Sequence, residues 1–237
     1  MFEQGKYKLT PSDYIESFEK ILAAPASAFN VLNEMLNTDF LVRFIPEFKA
    51  IVNRIQYDEY HLYPVDRHLL RTVENIKKFG ASERISKYRL CGDIYKGLKK
   101  RKLLLRAALL HDIGKGKIGG RHSTSGAVIA RSILVQKGFK AEDVDTVSFL
   151  IQEHLLLIKT ATRRDLNDEE TAISCARKIK DVNLLKMLYL LTVADSMATG
   201  PKAWSDWTAT LLRDLFFKVL SILEKGELAS REAVEAV

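Results

Sequence analysis

Four of the five histidines in this 237-residue chain stand where chemistry could be done: His68, His111, His122 and His154. His111 is followed at once by Asp112 at the end of an apolar run, in LLHDIGKGKIGGRHS (Leu109 to Ser123), and Asp195 interrupts the apolar stretch LLTVADSMA. A carboxylate buried without a cation or several donors loses its hydration uncompensated. Taken singly, each histidine is accounted for by a satisfied core or capping position, and Asp195 by hydroxyl caps from Thr192 or Ser196. Taken together they call for a shared partner, because imidazoles and carboxylates are the donors that hold Mn, Fe, Zn and related divalent ions, with oxygen-rich sets leaning toward Mn or Mg. His68, His111, Asp112 and Asp195, spread over three helices, would offer four such ligands.

The surrounding residues suit an anionic substrate. Lys115 follows Asp112 by three positions in a glycine-flanked loop, where an ammonium could reach a phosphate oxygen and backbone amides could add donors. Arg163 and Arg164 in TATRRD carry guanidinium forks that fit phosphate, although pairing with Asp165 or Asp168 explains them equally well. Trp204 and Trp207 read as a packed helix start in preference to a pocket wall.

Helices must position these residues, since hydrophobic periodicity is helical throughout and no useful period-two alternation occurs. TPSDYIESFEKILAAP has helix boundary residues at both ends, and FNVLNEMLNTDFLVRFIPEF predicts one or two short helices ending near Pro46. After Pro64, the spacing of Val65, Leu69, Val73 and Ile76 predicts a helix stopped by Gly80, with His68 beside the apolar stripe. Further helices are expected from about Ser123 to Lys137, and from the acids of AEDVD onward with Val147, Leu150, Ile151, His154 and Ile158 on one side. DEETAISCARKI is amphipathic, VNLLKMLYLLTVADSMATGP is apolar nearly all round and therefore central, and a last helix is expected from about Trp204 to Lys225. The expected fold is all-α, a helical bundle over 51–237 with a short N-terminal helical segment, 1–50, packed on its core.

Composition sets bounds on this reading. An apolar fraction of 47% is ample for a core, and a net charge of +7 hints at an anionic partner without choosing among nucleic acid, nucleotide and acidic protein. Much of the excess lies in KGLKKRK, Lys96 to Lys102, which reads as the solvated start of a helix. Cys91 and Cys175 form no paired motif, so a reducing cytoplasm fits, and no apolar run approaches the ~18 residues of a membrane span.

His68, the adjacent His111 and Asp112, and Asp195 match in order and helical context the signature of the HD metal-dependent phosphohydrolases. The resemblance narrows through four blocks: EFKAIVNRIQYDEYHLYPVDRHLLRTVENI, ALLHDIGKGKIGGRHSTSGA, HLLLIKTATRRDLND and LYLLTVADSMATGPKAWSDWTATLLRDLF, within roughly Asn30 to Phe217. These are similar to the HD domain of the bifunctional uridylyltransferase/uridylyl-removing enzymes of bacterial nitrogen control. That likeness implies an all-α HD domain with one or two divalent metal ions. It also implies His122 and His154 as ligands of a second ion bridged by Asp112. For the phosphoester hydrolysis of that family, the residues' own chemistry makes Asp112 and Lys115 the expected catalytic residues, and Lys115, Arg163 and Arg164 the expected phosphate-binding ones. The implied reaction is removal of UMP from uridylylated PII signal protein. A phosphohydrolase of free nucleotides or dinucleotides and a nucleotide-sensing module are the alternatives, a nucleic-acid substrate ranking last. Nothing before Asn30 has the length or pattern of a nucleotidyltransferase, so the chain is expected to be an excised piece or a stand-alone relative. The loop between Asp112 and His122 is one residue longer than the family's usual form, Ile118 being the extra residue, which bears on the reach of His122.

Overall fold

The computed structural model describes residues 10–26, 30–56, 62–81, 86–117 and 121–235, and among these the regular elements are all helical. The first helix, α1 (Pro11–Ala23), begins with a reciprocal cap: the Thr10 hydroxyl accepts from the Asp13 amide, and the Asp13 carboxylate accepts from the Thr10 amide at 2.7 Å. Two short helices, α2 (Val31–Asn37) and α3 (Phe40–Phe44), and a 3-10 turn at Pro46–Ala50 follow. Their apolar side chains, Leu32, Leu36, Leu41, Phe48 and Ile51, enter the same core as the rest of the chain.

Two helices form the frame of that core. The first is α4 (Val65–Phe79), which buries Val65, Leu69, Val73 and Ile76 as the periodicity predicts and ends before Gly80. The other, introduced here as α11 (Val182–Thr199), is apolar on every side and buried accordingly, with Leu185, Leu188, Leu190, Leu191 and Val193 all inaccessible. Its start is capped by the Asp181 carboxylate, which accepts from the Leu184 amide at 2.7 Å. It stops at Gly200, whose φ of 143° is a conformation that side-chain-bearing residues rarely adopt. The two helices pack along each other, and the Asn75 amide donates to the Ala194 carbonyl between them at 3.0 Å.

The remaining helices close the bundle: α5 (Arg89–Gly97), α6 (Arg101–Leu110), α7 (His122–Gln136), α8 (Ala141–Glu153), α9 (Leu156–Arg163), α10 (Glu169–Ile179) and α12 (Asp206–Glu235). Helix α6 lies against α4 and α8, α7 covers α8, and α12 spans α9, α10 and α11. No helix among the described residues is long and apolar enough to cross a membrane.

Three expectations need correction. The basic run from Lys96 to Lys102 is not one helix start; it straddles the end of α5 and the start of α6, with Leu98 buried at the break and Lys100 held by Glu142 at 2.7 Å and by Asp143. The helix carrying His154 does not continue to Ile158. It breaks at His154 and Leu155, where the His154 Nδ1–H donates to the Ile151 carbonyl at 2.6 Å, the carbonyl that a continuing helix would give to the amide of Leu155. The last helix begins at Asp206, two residues later than Trp204, because the chain makes a turn through Pro201–Ala203, and it runs to Glu235.

Candidate metal centre

Five of the helices converge at one point. His68 projects from the first half of α4, His111 and Asp112 follow the last residue of α6, His122 opens α7, His154 follows α8, and Asp195 faces inward from α11. His111 and His154 share a device: each ring donates its Nδ1–H to the carbonyl three residues back, Ala108 at 2.9 Å and Ile151 at 2.6 Å. A carbonyl can only accept, so these bonds place the proton on Nδ1 and aim the Nε2 lone pair into the site.

The turn after Asp112 is seated by close backbone contact. A Cβ on Gly114 would lie 2.0 Å from the His122 carbonyl oxygen and 2.5 Å from the Gly126 amide, so only glycine lets the 3-10 turn Ile113–Gly116 lie against the first turns of α7. That approach sets His122 beside Asp112. The Nε2 of His122 is 3.5 Å from Asp112 Oδ1, so it reaches the carboxylate; Ile118 lies outside the described residues.

Two donor sets meet at Asp112. On one side, His68 Nε2 is 2.9 Å from Asp195 Oδ1, 3.2 Å from His111 Nε2 and 3.6 Å from Asp112 Oδ2, and His111 Nε2 is 3.5 Å from Asp195 Oδ1 and 3.6 Å from Asp112 Oδ2. Ligand bonds of ~2.1 Å separate neighbouring donors by ~3.0 Å in an octahedron and ~3.4 Å in a tetrahedron, which matches these spacings. On the other side, His122 Nε2 and His154 Nε2 lie 3.5 and 3.8 Å from Asp112 Oδ1. The two oxygens of one carboxylate therefore face two different imidazole sets.

Charge in the site is out of balance. Burial opposes the negative charge of Asp112, but His111, Lys115, His154 and His68 overcome it and hold the carboxyl well below the usual range. Asp195 is treated the same way by His111 and His68. Burial likewise opposes a charged His111, yet Asp112 and Asp195 raise its pKa, whereas burial and the neighbouring His111 press His154 down to about 4. His122 is also lowered, chiefly by burial. Two acids thus favour positive charge at their common point, and burial holds His122 and His154 toward the neutral form in which an imidazole binds a cation.

Buried polar atoms without partners give the test of whether a metal fits. Asp112 Oδ1 and His154 Nε2 are both inaccessible and have no hydrogen-bond partner. Two imidazole Nε2 atoms, those of His68 and His111, face each other at 3.2 Å. Divalent cations satisfy these atoms together, whereas a proton serves one pair at a time, so the donor set fits a metal. The Thr192 hydroxyl does not cap the Asp195 carboxylate: its Oγ1 donates to the carbonyls of Leu188 and His154, and Thr199 Oγ1 donates to the Asp195 carbonyl.

Over the metal donors opens a cleft of about 510 Å³. Its floor is Asp112, His154 and Asp195, and its rim includes exposed Lys159, Thr162, Arg163, Lys202 and Trp207. Lys115 also lines it, with its Nζ on Asp112 Oδ2 at 2.6 Å. The structure brings Arg163 to the site, whereas Arg164 lines a neighbouring hollow with Arg121, Gln152 and Lys178; Arg163 stands between the two and lines both. Neither arginine pairs with Asp165 or Asp168 among the described residues. The two tryptophans divide as well: Trp204 packs against the core, as expected of a helix start, while Trp207 stands 65% exposed on the cleft wall. Sequence reasoning missed Lys159, Lys202 and Gln56, whose only signal was a position within the resembling blocks.

The profile of the HD domain family matches residues 65–198, which takes in all six converging residues. Among curated proteins, the chain is 41% identical over 206 residues to the bifunctional uridylyltransferase/uridylyl-removing enzyme of Bordetella avium, covering 87% of this chain and 24% of that protein. It is 42% identical over 196 residues to the protein of that name from Gluconobacter oxydans, covering 83% and 20%, and 36% identical over 211 residues to that from Vibrio atlanticus, covering 89% and 24%. The chain spans about a quarter of the length of these relatives or less.

Proposed function

Since the chain belongs to the HD domain family, we propose that it is a metal-dependent phosphodiesterase that releases UMP from uridylylated PII protein. The observation that carries this reading is the position of Asp112, whose two oxygens face separate imidazole sets at the floor of an open cleft. His68, His111, Asp112 and Asp195 hold one divalent ion, and His122, His154 and Asp112 a second. Bound there, such ions supply Lewis-acid polarisation of a phosphoryl oxygen and lower the pKa of water toward neutrality.

The chain's own residues do the rest. The carbonyls of Ala108 and Ile151 hold two imidazoles in their ligand tautomer. Lys115, next to Asp112 and facing the cleft, offsets charge on the phosphoryl oxygens, and Arg163 binds the phosphate from the rim. Arg164, in the adjoining hollow that Arg163 also lines, extends this phosphate-binding cationic surface. An exposed rim over a buried floor admits a phosphodiester borne on a protein loop, whereas a free nucleotide is usually enclosed when bound.

Incubation of the purified chain with Mn2+ and uridylylated PII tests the proposal. UMP release that stops on chelation is the expected result. Efficient hydrolysis of free nucleotides with no release from PII would transfer the same site to the nucleotide-hydrolase reading, and cleavage of neither by metal-loaded protein would point to a sensing module.

A further inference from the structure

We infer that Trp207 and Gln56 form a nucleobase subsite beside the metal centre, Trp207 supplying a stacking face and Gln56 an edge contact; this rests on the phosphodiesterase reading above. Both side chains line the cleft that has Asp112, His154 and Asp195 at its floor. Tryptophan gains much from burial, yet Trp207 is 65% exposed while Trp204, three residues earlier, is packed inward. Packing of the helix start therefore accounts for one of the two rings and leaves the other on the cleft wall.

The exposed ring is mounted on fixed backbone. Ser205 Oγ accepts from the Thr208 amide at 3.2 Å and meets the Thr208 hydroxyl at 3.0 Å, Thr208 itself is buried, and the Trp204 amide donates to Gly200 at 3.1 Å. On the same cleft, Gln56 Oε1 is buried without a hydrogen-bond partner. An unpaired buried amide oxygen is costly, and a ligand N–H would satisfy it. A pyrimidine such as uracil presents an N–H between two carbonyls on its edge and a flat face for the indole, so one base answers both residues. Lys159 and Arg163 on the same wall would then meet the phosphate attached to that nucleoside.

Two readouts on the metal-loaded full chain test this. In a Trp204→Phe background, UMP is expected to quench Trp207 emission and ribose phosphate is not; equal effects of the two, or no quenching by UMP, would overturn the inference. Kinetics then compare the p-nitrophenyl ester of UMP with methyl p-nitrophenyl phosphate, which has no base. Trp207→Ala should raise KM for the uridylyl ester roughly ten-fold, the worth of stacking one base on an aromatic face, and leave the base-free ester unchanged. Trp207→Phe should recover most of the loss, and Gln56→Ala should weaken UMP binding but not ribose phosphate binding. Equal loss on both esters would make Trp207 a structural residue and overturn the subsite. If neither ester is cleaved, the phosphodiesterase reading fails, and the difference in quenching alone decides the base subsite.

Discussion

Helix α6 carries buried charge at its middle and just past its C-terminal end, satisfied in opposite ways. Arg106 forms a bidentate pair with Glu19 of α1, at 2.8 and 2.6 Å, and its guanidinium lies 4.1 Å from the ring centre of Phe139. Five residues on, His111 and Asp112 are just as buried, but Asp112 lines a cleft and its Oδ1 has no hydrogen-bond partner. Burial of charge therefore does not by itself mark a functional site. Glu19, Asp66 and Glu153 are all buried acids, and each has its partner: Arg106, the Asn53 amide at 3.0 Å, and Lys178 at 2.7 Å. What distinguishes the candidate metal centre is that its polar atoms are brought together and left incomplete.

The sharpest way to break that contrast is at Asp112. Asp112→Ala should abolish metal uptake at both positions and lower kcat by roughly three orders of magnitude or more, the several kcal/mol that a bound metal's charge stabilisation supplies. Asp195→Ala should abolish hydrolysis too but spare the His122/His154 position, which metal titration followed by elemental analysis would distinguish. At the closed pair in the middle of α6 the effect should fall on stability. Arg106→Ala leaves Glu19 buried and unpaired, and should cost ~3–5 kcal/mol in urea unfolding while metal uptake per folded molecule is unchanged. Loss of metal binding in this variant would mean that the two clusters are not independent.

Smaller effects sharpen the picture inside the site. Lys115→Ala should lower kcat roughly a hundred-fold, as removal of one transition-state donor does, with metal affinity retained. Full activity on every cleaved substrate would remove Lys115 from the phosphate role. In the metal-free protein, His154 titrates at about 4 when folded and near 6.5 when unfolded, so between these values the unfolded chain holds the extra proton. Stability should therefore fall as pH drops from about 6.5 to about 4, by at most ~3 kcal/mol from this residue. His111, with its raised pKa, contributes oppositely: its share is present at low pH and lost as pH rises through its folded value. Denaturation across this range should show a shallower acid loss in His154→Gln than in the parent protein; identical slopes would contradict the assignment.

The helices and the converging residues were legible in sequence for related reasons. Apolar periodicity fixes which face of α4 is buried, and an apolar run with no polar face marks α11 as central, so His68 beside the stripe and Asp195 within the run declare themselves as misfits. What escaped has no periodic signal. The break at His154 depends on a side chain taking a backbone carbonyl, and a pattern that averages over turns passes through it unmarked. The Arg106–Glu19 pair joins residues 87 positions apart, each an ordinary surface type in its own window. Lys159, Lys202 and Gln56 reach the cleft only because α9, the turn after α11 and the chain before α4 meet there, and nothing in the sequence tells exposed Trp207 from inward-packed Trp204. Arg163 and Arg164 illustrate the same limit, since of these adjacent residues at a helix end Arg163 lines both the cleft and the neighbouring hollow while Arg164 lines the hollow.

The central claim is that Asp112 is shared between two ions. Anomalous diffraction from manganese-loaded protein tests it most directly, since the metal is located without reference to activity. The account predicts two peaks flanking the Asp112 carboxylate, one among His68, His111 and Asp195 and the other against His122 and His154. Manganese bound elsewhere, with no ion within coordination distance of Asp112, would contradict it.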